Sequence, residues 1–218
     1  SSPEPEPLPE DVLEAAGTGD MKRVREWLRT GDVNARTVPD LGGDQDLCNY
    51  DVSLLDVAAA LGKIKMAREL LQLGADVNRK NGRGLTPLMC IMSQGKNRKR
   101  LLAMARFLLE HSASVDLQSK AGSTALMLAA GAGNEDSVRT LLDAGADTDL
   151  CDCDGDNALR FAELEGHVSI VTLLKSPEQL EAEAAAEVAE AVKADALQAA
   201  QAAQADAMMA ELLAEEEA

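Results

Sequence analysis

GADVNRKNGRGLTPL, residues 74–88, ends one helix and begins another within a single short stretch. Gly74 is suited to the left-handed backbone that closes a helix. Thr86 has the side-chain oxygen that caps the free amides at a helix start, and Pro87 follows at the first helical position, where a missing N–H costs nothing. On either side of this stretch the pattern recurs: "TPLMCIMSQG" at Thr86 matches "SLLDVAAALG" at Ser53, "TALMLAAGAG" at Thr124 and "NALRFAELEG" at Asn157. These starts are spaced by 33, 38 and 33 residues. A fifth copy, "DVLEAAGTGD" at Asp11, places Ala15-Ala16 43 residues ahead of Ala58-Ala59.

Each copy is followed by a second apolar-periodic run and a stop. These are "VREWLRTGDVN", "ARELLQLGADVN", "ARFLLEHSASVD" and "VRTLLDAGADTD", with Gly31, Gly74 and Gly145 as stops and Ser112 in that place once. The pattern predicts two short helices per repeat, capped by Ser53, Thr86, Thr124 and Asn157. Helices of this length are marginal alone, so stacking on neighbours has to stabilise them. The small pairs Ala58-Ala59 and Ala129-Ala130 allow close approach. Leu70-Leu71, Leu108-Leu109 and Leu141-Leu142 are expected to fill the space between layers, with Trp27-Leu28 as core in the first repeat.

These residues resemble the ankyrin repeat, whose pattern runs G-x-T-P-L-H-x-A-A, then G-H, L-L and G-A-D-V-N. The resemblance implies an all-α solenoid with short β-hairpin fingers, and a concave groove, lined by the first helices, that binds proteins. Repeats fall near 10–35, 51–82, 84–120, 122–153 and 155–175, giving a repeat domain of 10–175. Departures from the pattern mark what is individual. The His after T-P-L is replaced by Asp56, Met89, Met127 and Arg160. A finger insertion occupies 36–50, and a basic insertion at 95–100 is expected to lengthen a turn between helices.

The ends are different material. Residues 1–9 alternate Pro with acid and are expected to form a disordered arm. Residues 176–218 lack Gly and are rich in Ala, Glu and Gln, which predicts a long helix. Its larger apolar residues keep no strict heptad. The best apolar cluster is Met208, Met209, Leu212 and Leu213, read as a docking element.

The net charge is −17, and from Pro177 onward eleven acids face the single Lys193. Such a balance argues against nucleic acid as the main partner, because a phosphate backbone is bound by clustered cations. The aromatic content is only 2%. No run of eighteen apolar residues occurs, so neither a membrane-spanning helix nor direct membrane insertion is expected. Cys48, Cys90, Cys151 and Cys153 are too few and too irregular for a disulfide framework, which points to an intracellular, reducing compartment. The chain starts at Ser1 without Met, and an organellar location follows if a targeting segment once preceded it.

Chemistry-bearing candidates are weak. In "DTDLCDCDGDN", residues 147–157, a calcium loop with Gly155 as its glycine would need an acid at Leu150 and a glutamate at Phe161. Cys151 and Cys153 supply two thiolates where tetrahedral zinc wants four ligands. His111 and His167 have no nucleophile at relay spacing. No catalytic residue, metal or cofactor is therefore assigned. Partner binding is assigned to Val57, Leu61, Cys90, Gln94, Leu128, Phe161 and Leu164 on the first helices. Arg79, Lys80 and Arg83 add a basic spot, and Asp44 and Asp46 an acidic one, on the fingers. The expected function is non-enzymatic recognition of a protein partner. Two alternatives stand beside it: an accessory subunit of a larger complex, and a regulator autoinhibited by its C-terminal helix.

Overall fold

The computed structural model describes residues 7–36, 51–94 and 98–175, and, further on, residues 179, 181–182, 184–186, 188–194 and 197–198. Asp44, Asp46, Met208, Met209, Leu212 and Leu213 lie outside the described residues. The chain divides into two units, Ser1–Leu174 and Lys175–Ala218. In the second, every described residue from 179 onward is helical, with Val188, Val192 and Leu197 exposed.

The first unit is five helix pairs. They are α1 (Glu10–Thr18) with α2 (Met21–Trp27), α3 (Leu54–Ala60) with α4 (Ile64–Gln72), and α5 (Pro87–Met92) with α6 (Arg98–Glu110). The last two are α7 (Ala125–Gly131) with α8 (Glu135–Asp143), and α9 (Ala158–Leu164) with α10 (Val168–Leu174). First helices pack on first helices in order from α1 to α9. Ser53, Thr86, Thr124 and Asn157 each accept a hydrogen bond from the amide three residues on.

The small pairs do what close packing requires. Ala16, Ala58, Ala59, Ala129, Ala130 and Ala162 are fully buried, and the space between helix layers is filled by Met66, Met104 and Met127 with the aliphatics. Met suits this place because its unbranched chain adapts to irregular gaps. Only the first Leu of each Leu pair is fully buried, namely Leu70, Leu108 and Leu141; Leu71, Leu109 and Leu142 are half-buried at the edge of the core.

The terminal asparagine of the G-A-D-V-N motif joins one repeat to the next. Asn34 Oδ1 accepts from the Asp76 amide at 2.9 Å and its Nδ2 donates to Gly74 O at 3.3 Å. Asn78 does the same to Ser114 and Ser112, at 2.7 and 3.2 Å. Asp116, with no amide to donate, keeps the accepting half, from the Asp147 amide at 2.9 Å.

The fingers are tight turns rather than laddered hairpins. Each is closed by two backbone bonds: Asn81 N to Leu85 O, Ser119 N to Ser123 O and Asp152 N to Asp156 O, with the amides of Gly84, Gly122 and Gly155 donating back to the carbonyls of Asn81, Ser119 and Asp152. In each, the first residue's side chain accepts from the amides two and four residues on, as Asn81 Oδ1 does from Arg83 and Leu85 at 3.0 Å. Asp152 therefore spends its carboxylate on the backbone of the Asp-rich finger. Neighbouring fingers meet through Lys120 N to Arg83 O and Cys153 N to Ala121 O. The one β-bridge among the described residues, Arg36 with Ser53, closes the base of the inserted finger.

Three expectations are corrected. Gly74 and Gly145 take left-handed backbone (φ 92° and 84°) and Ser112 takes it in glycine's place (φ 67°), but Gly31 is not among the positive-φ residues. Gly31 is required by space instead: a Cβ there would come within 2.4 Å of the Trp27 ring. Trp27 itself is half-buried, packed against the edge of the core rather than enclosed in it. Part of the basic insertion extends a helix, because Arg98, Lys99 and Arg100 open α6, at 13 residues the longest of the ten helices given above. Nothing in RKR opposes helix, and these straight-chain residues favour it.

Candidate functional site

Four residues after each cap, the first helices present Val57, Cys90, Leu128 and Phe161, all half-buried. Their helices are consecutive in the stack, so these side chains form one row. The Phe161 ring lies over Gly131, whose added Cβ would meet the ring edge at 3.4 Å, and it therefore fills part of the groove floor between α7 and α9. Toward the far end of the helices, Leu61 is 39% exposed and Leu164 61%. Between them Gln94 is half-buried, its Nε2 donating to Cys90 O at 3.4 Å. The row is apolar at its margins and has little polarity to desolvate, as a contact surface requires.

Cys90 is the chemically quiet member. Burial and the nearby Asp56 charge push its thiol up to about 12, against a weaker opposing pull from Arg83. Asn81 Nδ2 points at its sulfur from 3.6 Å. A thiol held neutral in this way is neither nucleophile nor metal ligand. Cys151 and Cys153 are exposed free thiols, and among the described residues no three His, Cys, Asp or Glu side chains are grouped to hold a metal.

Asp56 occupies the place of the pattern's His and takes over its supporting work. Its Oδ2 accepts from both the amide and the hydroxyl of Ser53 at 2.8 Å, while Ser53 Oγ accepts from the Asp56 amide at 3.2 Å. Oδ1 is buried without a partner among the described residues. Burial raises its pKa, and the bonds to Ser53 and the charges of Arg36 and Arg79 only partly offset this. Sequence reasoning saw the substitution and missed the capping box, although S-x-x-D at Ser53 is its signature.

The finger cations are not gathered into one free basic spot. Lys80 Nζ donates to Gln118 O at 2.7 Å, tying its finger to the next, as Lys120 Nζ does to Gly82 O at 2.7 Å. Arg79 is half-buried, and its enclosed Nε has no hydrogen-bond partner among the described residues. Arg83 is exposed in the turn of its finger, where its charge also reaches the Cys90 thiol.

Two surface clefts lie away from this row. One is lined by Val12, Arg23 and Trp27 on the outer side of the first repeat, the other by Leu28, Glu69 and Leu73 between the ends of α2 and α4. Neither brings a nucleophile, base and oxyanion donor together.

A family model described as ankyrin repeats (3 copies) matches residues 55–152 and 96–187. Cyclin-dependent kinase 4 inhibitor B of Rattus norvegicus is 34% identical over 135 residues, covering 62% of this chain and 95% of that protein. The B-cell lymphoma 3 protein homolog of Mus musculus is 34% identical over 132 residues, 59% of this chain and 28% of the relative. Inversin of Mus musculus is 44% identical over 68 residues, 30% of this chain and 6% of the relative. The chain thus spans most of the kinase inhibitor and only a small part of the two larger relatives.

Proposed function

The chain belongs to the ankyrin-repeat family, and we propose that it is a non-enzymatic recognition module whose first-helix row forms a concave groove for a protein partner. The observation that carries this reading is the row itself: Val57, Cys90, Leu128 and Phe161 on consecutive helices, with Leu61 and Leu164 open at its margin. A surface of this kind takes an amphipathic helix or extended segment by apolar contact. Finger side chains then fix its register. The name of the kinase inhibitor relative specifies a protein target for that protein, and it is the class of partner, not its identity, that transfers. Free thiols at Cys90, Cys151 and Cys153 favour a reducing compartment.

The test is substitution at the margin and at the floor. Leu61→Glu with Leu164→Glu changes exposed residues only, so the repeats keep their fold by circular dichroism. Partner recovery in quantitative affinity purification should fall about tenfold, the effect of losing about 1.4 kcal/mol of contact. Leu128→Glu with Phe161→Glu should abolish it. Undiminished recovery with both variants would move the interface off this face.

A further inference from the structure

A second surface lies on the edge where first helices turn into second helices, away from the fingers. Lys22 and Arg23 open α2, Lys65 lies in the first turn of α4, and Lys99 and Arg100 open α6. Lys63 stands among them. The turns hold these residues side by side: Lys63 Nζ donates to the carbonyls of Ala16 and Gly17 at 3.0 and 2.6 Å, and Arg100 Nε donates to Gly62 O at 3.3 Å. Six cations therefore follow one edge across three repeats.

Helix stability does not account for them. No acid occupies the first turn of α2, α4 or α6. Cations there oppose the helix dipole instead of complementing it. In α8 the same turn carries Glu135 and Asp136, so the basic edge stops after the third pair. Within the edge, burial and then the charge of Arg100 lower the pKa of Lys63, a sign of positive charges crowding one another. Arg23 alone has a carboxylate, Asp11 at 2.7 Å. Lys22, Lys65 and Lys99 are exposed and make no ion pair among the described residues.

We propose that this edge docks an extended acidic peptide segment of a partner protein. Packed helices are about 10 Å apart, and an extended polyproline-II chain advances about 3.1 Å per residue with three residues per turn, so a carboxylate at every third residue would return to the same face and meet one repeat after another. A long polyanion such as nucleic acid fits less well, because the edge spans only three repeats and Glu135 and Asp136 stand where it would continue. This surface is separate from the first-helix row and does not depend on it.

The probe is a fluorescent peptide of five Glu-Leu-Ser repeats, titrated into the full chain and followed by anisotropy, with a Gln-Leu-Ser peptide as control. Binding should weaken about tenfold from low to physiological salt, and about tenfold when Gln replaces Glu. Lys65→Glu with Lys99→Glu, both exposed and unpaired, should cost at least about tenfold, whereas Leu128→Glu with Phe161→Glu leaves the affinity unchanged. Equal binding of the two peptides, indifference to the lysine reversals, or tighter binding of a single-stranded oligothymidine would overturn the proposal. Failure of the groove variants to lose their partner would bear on the other surface alone.

Discussion

Asn78 joins two repeats with both ends of one amide, accepting from Ser114 and donating to Ser112. Its removal in Asn78→Ala should destabilise the repeats by about 1–2 kcal/mol, since net hydrogen bonds contribute about 1 kcal/mol each. Asn78→Asp keeps the acceptor, as Asp116 does naturally, and should lose about half as much in urea unfolding; equal losses would contradict the assignment. Asp56 gives a pH-dependent test. Its folded pKa is raised, so its contribution is fully present below the unfolded value and is lost as pH rises through the folded one. Asp56→Asn keeps an acceptor for Ser53 without the charge. Relative to the parent, the variant should therefore gain stability as pH rises above about 4, the ordinary carboxylate value. Parallel stability curves would show that the carboxylate is not strained by burial. Cys90 should resist iodoacetamide at about pH 8 while Cys151 and Cys153 react, because only the thiolate attacks. Comparable labelling of Cys90 in the folded protein would refute its neutral, enclosed state.

Among the elements, the helix pairs were legible because caps and small pairs recur in register. Thr86, Pro87 and Gly74 announce their backbone states in one stretch, and the structure places them so. Gly31 was misread because spacing alone cannot tell a glycine needed for φ from one needed for room. Only the Trp27 ring above it decides that. The extension of α6 was missed because an insertion marks where chain is added, while helix or turn is settled by Arg98, Lys99 and Arg100 continuing the period of the helix they precede. Of the partner-binding residues, those on first helices follow from the repeat. The finger cations do not, since whether Lys80 is free or bonded to Gln118 depends on a neighbouring finger. At this scale α6 is the keystone: Met104 and Leu108 are fully buried, and Leu108→Ala should cost about 2–5 kcal/mol in urea unfolding by lost transfer energy and a residual cavity. A loss under about 1 kcal/mol would show that the site collapses freely.

Over the whole molecule, contacts run between neighbouring repeats, so stability is a sum of repeats and interfaces. In the first pair Trp27 is half-buried, and in the fifth Val168 is 75% exposed. Two faces then divide the recognition surface of the repeats: an apolar row on the first helices, and a basic edge confined to the first three pairs. The measurement that bears most directly on the central claim is hydrogen exchange of the chain with and without its partner. New protection is expected along α3, α5, α7 and α9, where amides near Val57, Cys90, Leu128 and Phe161 would be covered. Protection confined to the second helices, with the first helices exchanging as in the free chain, would contradict it.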